Sequence, residues 1–245
     1  MRLLVLGGTR EAAALATACV EADHHVLSSL AGRTREPRPL AGEVRTGGFG
    51  GADGLAAFLR EGGFDALVDA THPFAATISA NAARAAREAG TPRVALVRPG
   101  WTRKDGDDWR TVPDIAAAAR LLPSGAHALL ALGRQHLAPF VRRTDVAFTA
   151  RMIEAPDVSL PGIGIVRARP SADPREEAAF LRGQGVTHLV SRNAGGPGAY
   201  AKIAAARELG LPVVMIARPP APGPPCVESV EAVMAWLASP SFPRS

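Results

Sequence analysis

Residues 2–11 read Arg-Leu-Leu-Val-Leu-Gly-Gly-Thr-Arg-Glu, a short apolar run that ends on a glycine pair and gives way to an Ala-rich stretch. The run predicts a buried strand over 2–6, and the alanines predict a helix from about residue 11 to 21. The alternation repeats outward from there. Strands are expected near 25–29, 43–46, 66–69 and 93–97, with helices over 53–60 and about 75–89. Uniformly apolar strands separated by helices belong to a parallel sheet covered on both faces.

The rhythm breaks at 98–114, RPGWTRKDGDDWRTVPD, which reads as a domain boundary. A second cycle follows, with helices over 114–121, 136–141, 175–182 and 199–209 and strands over 128–132, 146–150, 164–167, 188–190 and 212–217. The Pro-rich connector 218–225, RPPAPGPP, fits neither helix nor central strand, and an amphipathic helix over 230–237 closes the chain. The expectation is an α/β protein of two Rossmann-like domains with mostly parallel sheets. Their bounds are 1–110 and 111–245, and an active-site cleft is expected between them.

Composition narrows the class. The 245 residues are 47% hydrophobic and 21% charged, the balance of a globular chain rather than a disordered or fibrous one. No apolar run reaches the ~18 residues of a membrane span, and the first apolar run is too short for a secretory signal, so the cytoplasm is the expected location. The net charge of +5 comes almost wholly from arginine, since Lys104 and Lys202 are the only lysines. Those arginines are dispersed and aromatics make up 5%, which argues against a nucleic-acid binder. Cys19 and Cys226 stand far apart with no metal-ligand spacing around them, so neither a disulfide framework nor a metal site is expected and both read as buried small hydrophobes.

In open α/β sheets ligands lie beyond the carboxyl ends of the strands, so those ends carry the chemistry. Gly7-Gly8-Thr9-Arg10 after the first strand lets backbone N–H groups approach a phosphate at a helix start, although its spacing is not the GxGxxG fingerprint and a glycine pair also serves as a plain tight turn. The second strand ends in Ser28-Ser29, without the acid that would meet a ribose 2′-hydroxyl. Arg33 and Thr34 follow where a 2′-phosphate is accommodated, or where loop charges are simply solvated. Gly47-Gly48-Phe49-Gly50-Gly51 offers a close backbone approach to a flat ligand. At the fourth strand Asp69 is followed by Thr71 and His72, either of which can cap the next helix, with Pro73 in its first turn. The second half repeats the pattern with Arg134 and His136 after one strand, and Ser191-Arg192-Asn193 with glycines after another, ahead of a helix holding Tyr200 and Lys202.

Taken in order, GGTRE at 7–11, SLAGRT at 29–34, GGFGG at 47–51, DATHPFA at 69–75, ISANA at 78–82, RPGW at 98–101 and SRNAGGPGAYAKIAAARELGLPVVMIARP at 191–219 resemble the precorrin-6A reductases of cobalamin biosynthesis, which include cobalt-precorrin-6A reductases. The resemblance implies NADPH-dependent hydride transfer to one double bond of a polycarboxylate macrocycle, without metal or flavin. From the resemblance together with the reading of the strand ends, Gly7, Gly8, Thr9, Arg10, Arg33, Thr34, Gly48 and Phe49 are expected at the cofactor and Thr71, His72, Arg134, Ser191, Arg192, Asn193 and Lys202 at the substrate. Positioning is expected to dominate, without a strong acid/base residue, with His72 as the proton-relay candidate and Tyr200 in reserve. The alternatives are reduction of the cobalt-containing substrate, or a non-enzymatic NADP-binding module. A short-chain-type oxidoreductase needs Tyr and Lys about four apart on a helix, and Tyr200 and Lys202 are two apart. An S-adenosylmethionine-dependent methyltransferase is disfavoured by the arginine that replaces an acid after the second strand.

Overall fold

A computed structural model describes residues 1–32, 39–152, 160–239 and 242. In chain order the elements are β1 (Arg2–Leu6), α1 (Arg10–Glu21), β2 (His25–Leu30), β3 (Glu43–Thr46), α2 (Ala52–Gly62), β4 (Ala66–Asp69), α3 (Ala76–Ala89) and β5 (Arg93–Leu96). They continue with β6 (Trp109–Val112), α4 (Ile115–Leu121), β7 (His127–Ala131), α5 (Ala138–Val141), β8 (Ala147–Met152), β9 (Ile163–Arg167), α6 (Pro174–Gly183) and β10 (His188–Arg192). The last are α7 (Ala201–Glu208), β11 (Val213–Ile216), β12 (Cys226–Val227) and α8 (Val230–Ala238), and single 3₁₀ turns stand at Arg134–His136 and Pro197–Ala199.

Two compact units result, Met1–Pro99 with Pro219–Ser245, and Gly100–Arg218. This differs from the expected division at 110/111 in two places. The stretch read as a boundary contains β6, which pairs with β11, and the segment past the Pro-rich connector returns to the first unit because β12 pairs with β5. Both strands escape a periodicity search for a physical reason: β12 has two residues, and β6 reads Trp-Arg-Thr-Val with two exposed polar residues, as an edge strand can.

The first sheet runs β12-β5-β4-β1-β2-β3 and the second β6-β11-β10-β7-β8-β9, with every pairing parallel. Counted from its own first central strand, each unit has the order third, second, first, fourth, fifth and then an edge strand. The edge strands trade places in the chain, since the strand after β5 joins β11 and the strand after β11 joins β5.

Strand alternation divides the first core in two. Leu3 and Val5 face Leu15, Ala16 and Cys19 of α1 and Val233 and Leu237 of α8, whereas Leu4 and Leu6 face Leu55 and Leu59 of α2 and Ala82 and Ala85 of α3. In the second unit Leu129, Leu189, Val213 and Met215 pack on α6 and α7. Side-chain caps fix several helix starts: Thr9, Asp114, Asp173 and Ser229 each accept a backbone N–H of the first turn. Burial pushes the Cys19 thiol up to about 11, as expected of a small core hydrophobe. Cys226, expected buried as well, is exposed on the edge strand, where its Sγ lies 2.9 Å from the Pro222 carbonyl. Among the described residues no helix is long and apolar enough to cross a membrane.

Candidate functional site

In the first unit the chain leaves β1 in opposite directions toward β2 and β4, and the carboxyl ends of these strands carry the predicted motifs. The Gly7 N–H donates to the Ser29 carbonyl at 3.0 Å and closes the turn on β2. Gly8 takes φ 101°, a conformation that disfavours any side chain even though open space surrounds it. Thr9 ties the turn down, accepting from Ala12 N at 3.0 Å and donating to the Ala70 carbonyl at 2.8 Å. Its role is therefore to hold the loop against the end of β4. Arg10 is exposed as the first residue of α1.

At the next pair of strand ends Ser28 and Ser29 are buried, and no acid is present among the described residues. Arg33 and Thr34 lie outside the described residues. The arginine seen at this edge is Arg45, the penultimate residue of β3, which motif reading passes over because it precedes the glycine run instead of lying within it. Its Nη1 donates to Ser29 Oγ at 2.9 Å and to the Gly47 carbonyl at 3.3 Å, and its Nη2 donates to the Gly48 carbonyl at 3.1 Å. The guanidinium carbon lies 4.0 Å from the centre of the Phe49 ring and 5.0 Å from that of Phe58. Phe49, expected to meet a flat ligand, packs edge-on against Phe58 and serves as the platform for Arg45. Gly48 contributes its carbonyl to the same arrangement.

Past β4, Asp69 is buried and its Oδ1 accepts from both the Thr71 N–H at 3.2 Å and the Thr71 hydroxyl at 2.7 Å. Contrary to the sequence expectation, neither Thr71 nor His72 caps α3; the N-cap is Ala75, without a side-chain bond, and Pro73, expected in the first helical turn, stands in a turn ahead of the helix. The tight turn at 72–75, closed by Ala75 N to the His72 carbonyl at 2.7 Å, delays the helix start. His72 Nδ1 accepts from the Phe74 N–H at 3.2 Å. In the neutral imidazole that bond leaves the proton on Nε2.

The corresponding edge of the second unit, where β7 and β10 lie side by side, is built from side chains instead of bare backbone. Arg134 opens the 3₁₀ turn after β7, and Arg192 Nη1 from the end of β10 lies 3.4 Å from His136 Nε2. Ser191 and Arg192, expected in the loop, are the last residues of the strand. Ser191 is 1% exposed and its hydroxyl donates back to the Arg192 carbonyl at 3.2 Å. Asn193 clamps the segment at Trp101, accepting from its N–H at 2.8 Å and donating to its carbonyl at 3.0 Å. Both ends of that amide are engaged within the unit.

Tyr200 and Lys202 are also anchored. The Tyr200 hydroxyl accepts from Arg207 Nη2 at 2.5 Å, and Arg207 is itself paired with buried Asp107 at 2.8 Å. Lys202, expected at the substrate, is buried in α7 with Nζ donating to the Ala199 carbonyl at 2.7 Å and lying 4.9 Å from the Trp101 ring. Burial pulls its pKa down to about 7, opposed by Glu177 and assisted by Arg151 and Arg192. Arg151 and Glu177 form a buried bidentate pair at 2.8 and 2.6 Å behind it.

A family model described as "Precorrin-6x reductase CbiJ/CobK" matches residues 2–238. The precorrin-6A reductase of Rhodococcus erythropolis is 46% identical over 97% of this chain and 98% of its own length. The cobalt-precorrin-6A reductase of Priestia megaterium is 29% identical over 89% of this chain and 90% of its own. A solved structure, "CobK precorrin-6A reductase", superposes with a TM-score of 0.92 at 43% identity, covering 97% of this chain and 96% of that one.

Proposed function

Because the chain belongs to the precorrin-6x reductase CbiJ/CobK family, we propose that it reduces precorrin-6A to precorrin-6B with NADPH as the hydride donor. What carries this reading is the 46% identity to a precorrin-6A reductase along nearly the whole of both chains, against 29% to a cobalt-precorrin-6A reductase. A second form of the reaction, on the cobalt-containing macrocycle, is the alternative.

The first unit's residues fit a dinucleotide. Gly8 leaves the backbone uncovered at the start of α1, and the carboxyl end of β2 carries Ser28, Ser29 and Leu30, none of them an acid. When bound, NADPH supplies a hydride, which with a proton saturates one double bond of the macrocycle while the nicotinamide is oxidised. The protein's own part is positioning. Gly8 and the first residues of α1 would hold the pyrophosphate through backbone N–H groups, while the Gly7 N–H, bound to the Ser29 carbonyl, keeps the turn in place. Arg134 and Arg192 would grip acetate and propionate carboxylates, for which the guanidinium fork is suited. His72 holds a proton at Nε2 in its neutral form and can deliver it beside the carbon that receives the hydride. Tyr200, its hydroxyl bound to Arg207, serves the packing of α7 in preference to proton transfer.

The test is incubation with NADPH dideuterated at nicotinamide C4 and metal-free precorrin-6A under anaerobic conditions. Incorporation of one deuterium into the macrocycle is expected; an unlabelled macrocycle contradicts the proposal. In the same assay His72→Ala should lower kcat by about 100-fold, with KM for both substrates little changed. Wild-type kcat across the pH range would assign protonation to solvent.

A further inference from the structure

Resting on the reading of this unit as a dinucleotide site, we infer that Arg45 is the residue that reads the phosphate on the ribose 2′ position and thereby sets the preference for the phosphorylated dinucleotide. Four observations meet at this side chain. It stands at the carboxyl end of β3 and donates to Ser29 Oγ at the carboxyl end of β2, the edge where dinucleotide folds distinguish the two cofactors. Among the described residues the carboxyl ends of β2 and β3 bear no carboxylate, so none of them favours a bare 2′-hydroxyl.

The guanidinium is also preorganised. Bonds to Ser29, Gly47 and Gly48 and the face of Phe49 fix its plane, so little conformational entropy is lost when an anion arrives. Its charge, finally, meets no carboxylate among the described residues. Among the described residues its partners are a hydroxyl and two carbonyls; Glu43, two residues earlier in β3, forms no ion pair with it, and Asp53 at the start of α2 is paired with Arg84. Described residues take up three of the five N–H donors, and the other two suit an incoming phosphate oxygen. A purely structural arginine so placed would be expected to face an acid.

Calorimetric titration of the full chain with NADP+ and with NAD+ tests the assignment. Arg45→Met, which keeps the apolar stem on Phe49 and Phe58, should weaken NADP+ binding by about 10- to 100-fold and change NAD+ binding less than about twofold. Arg45→Lys should fall between, since a point charge replaces the fork. Equal loss for both nucleotides would make Arg45 a loop brace and overturn the inference. Unchanged NADP+ affinity in Arg45→Met, with the loss found instead in Arg33→Ala, would overturn it in favour of Arg33. Failure of the underlying reading looks different: the unsubstituted chain would then bind neither nucleotide.

Discussion

The two units share a strand order yet finish their central strands in opposite ways. In the first, the residues past β1 are glycines with Thr9 turned inward, and past β4 Thr71 folds back onto Asp69, so backbone groups face outward. In the second, the equivalent ends bear Arg134, His136 and Arg192, and charge carries on inward as the buried Arg151–Glu177 pair beside Lys202. On the proposed function, one scaffold serves two kinds of recognition. Bare backbone suits a pyrophosphate that must come close, whereas long cationic side chains suit carboxylates dispersed around a large ring.

The comparison can be broken most severely at its buried charges. Arg151→Ala leaves Glu177 uncompensated and should cost the second unit about 3–5 kcal/mol, read as a lowered thermal transition. A loss below about 1 kcal/mol would mean that the pair is solvated and that the second unit's inner charges matter little. Next in size is Arg192→Ala, expected to raise KM for precorrin-6A by about 10-fold or more while leaving KM for NADPH unchanged. A rise in the NADPH value alone would reverse the division of labour between the two sets of strand ends.

Lys202 sharpens the same contrast through pH. Its folded pKa, about 7, lies below the ordinary 10.5, so between these values the unfolded chain holds a proton that the folded chain has released. This group therefore adds stability as pH rises above about 7 and contributes no such gain below it. The melting temperature of the parent chain minus that of Lys202→Met should increase by several degrees from about pH 6.5 to about pH 8.5. A flat difference would show that Nζ is hydrated. The smallest effect is expected at Gly8→Ala, where φ 101° costs about 1–2 kcal/mol and should raise KM for NADPH without affecting that for the macrocycle.

Much of this arrangement was legible in the sequence. Apolar runs such as 2–6 and 66–69 declare central strands because both faces are buried, and the motifs past them lie at the ends of those strands. What escaped reading lacked a local signal. β6 and β12 take their strand identity from their neighbours, and Thr71 and His72 look like caps until the turn at 72–75 displaces the helix. Arg45 is one charged residue in a four-residue strand, and only folding sets it on Phe49 and against Ser29. Conversely, Asn193 and Lys202 have the residue types of a binding site, but their polar atoms are used within the unit.

The central claim is most directly tested by anaerobic turnover of metal-free precorrin-6A, following reduced-nicotinamide absorbance and the macrocycle spectrum together, with NADPH and NADH in parallel. The account predicts matched changes in both signals with NADPH and much slower change with NADH. An unchanged macrocycle spectrum with either nucleotide, or equal rates with both, would contradict it.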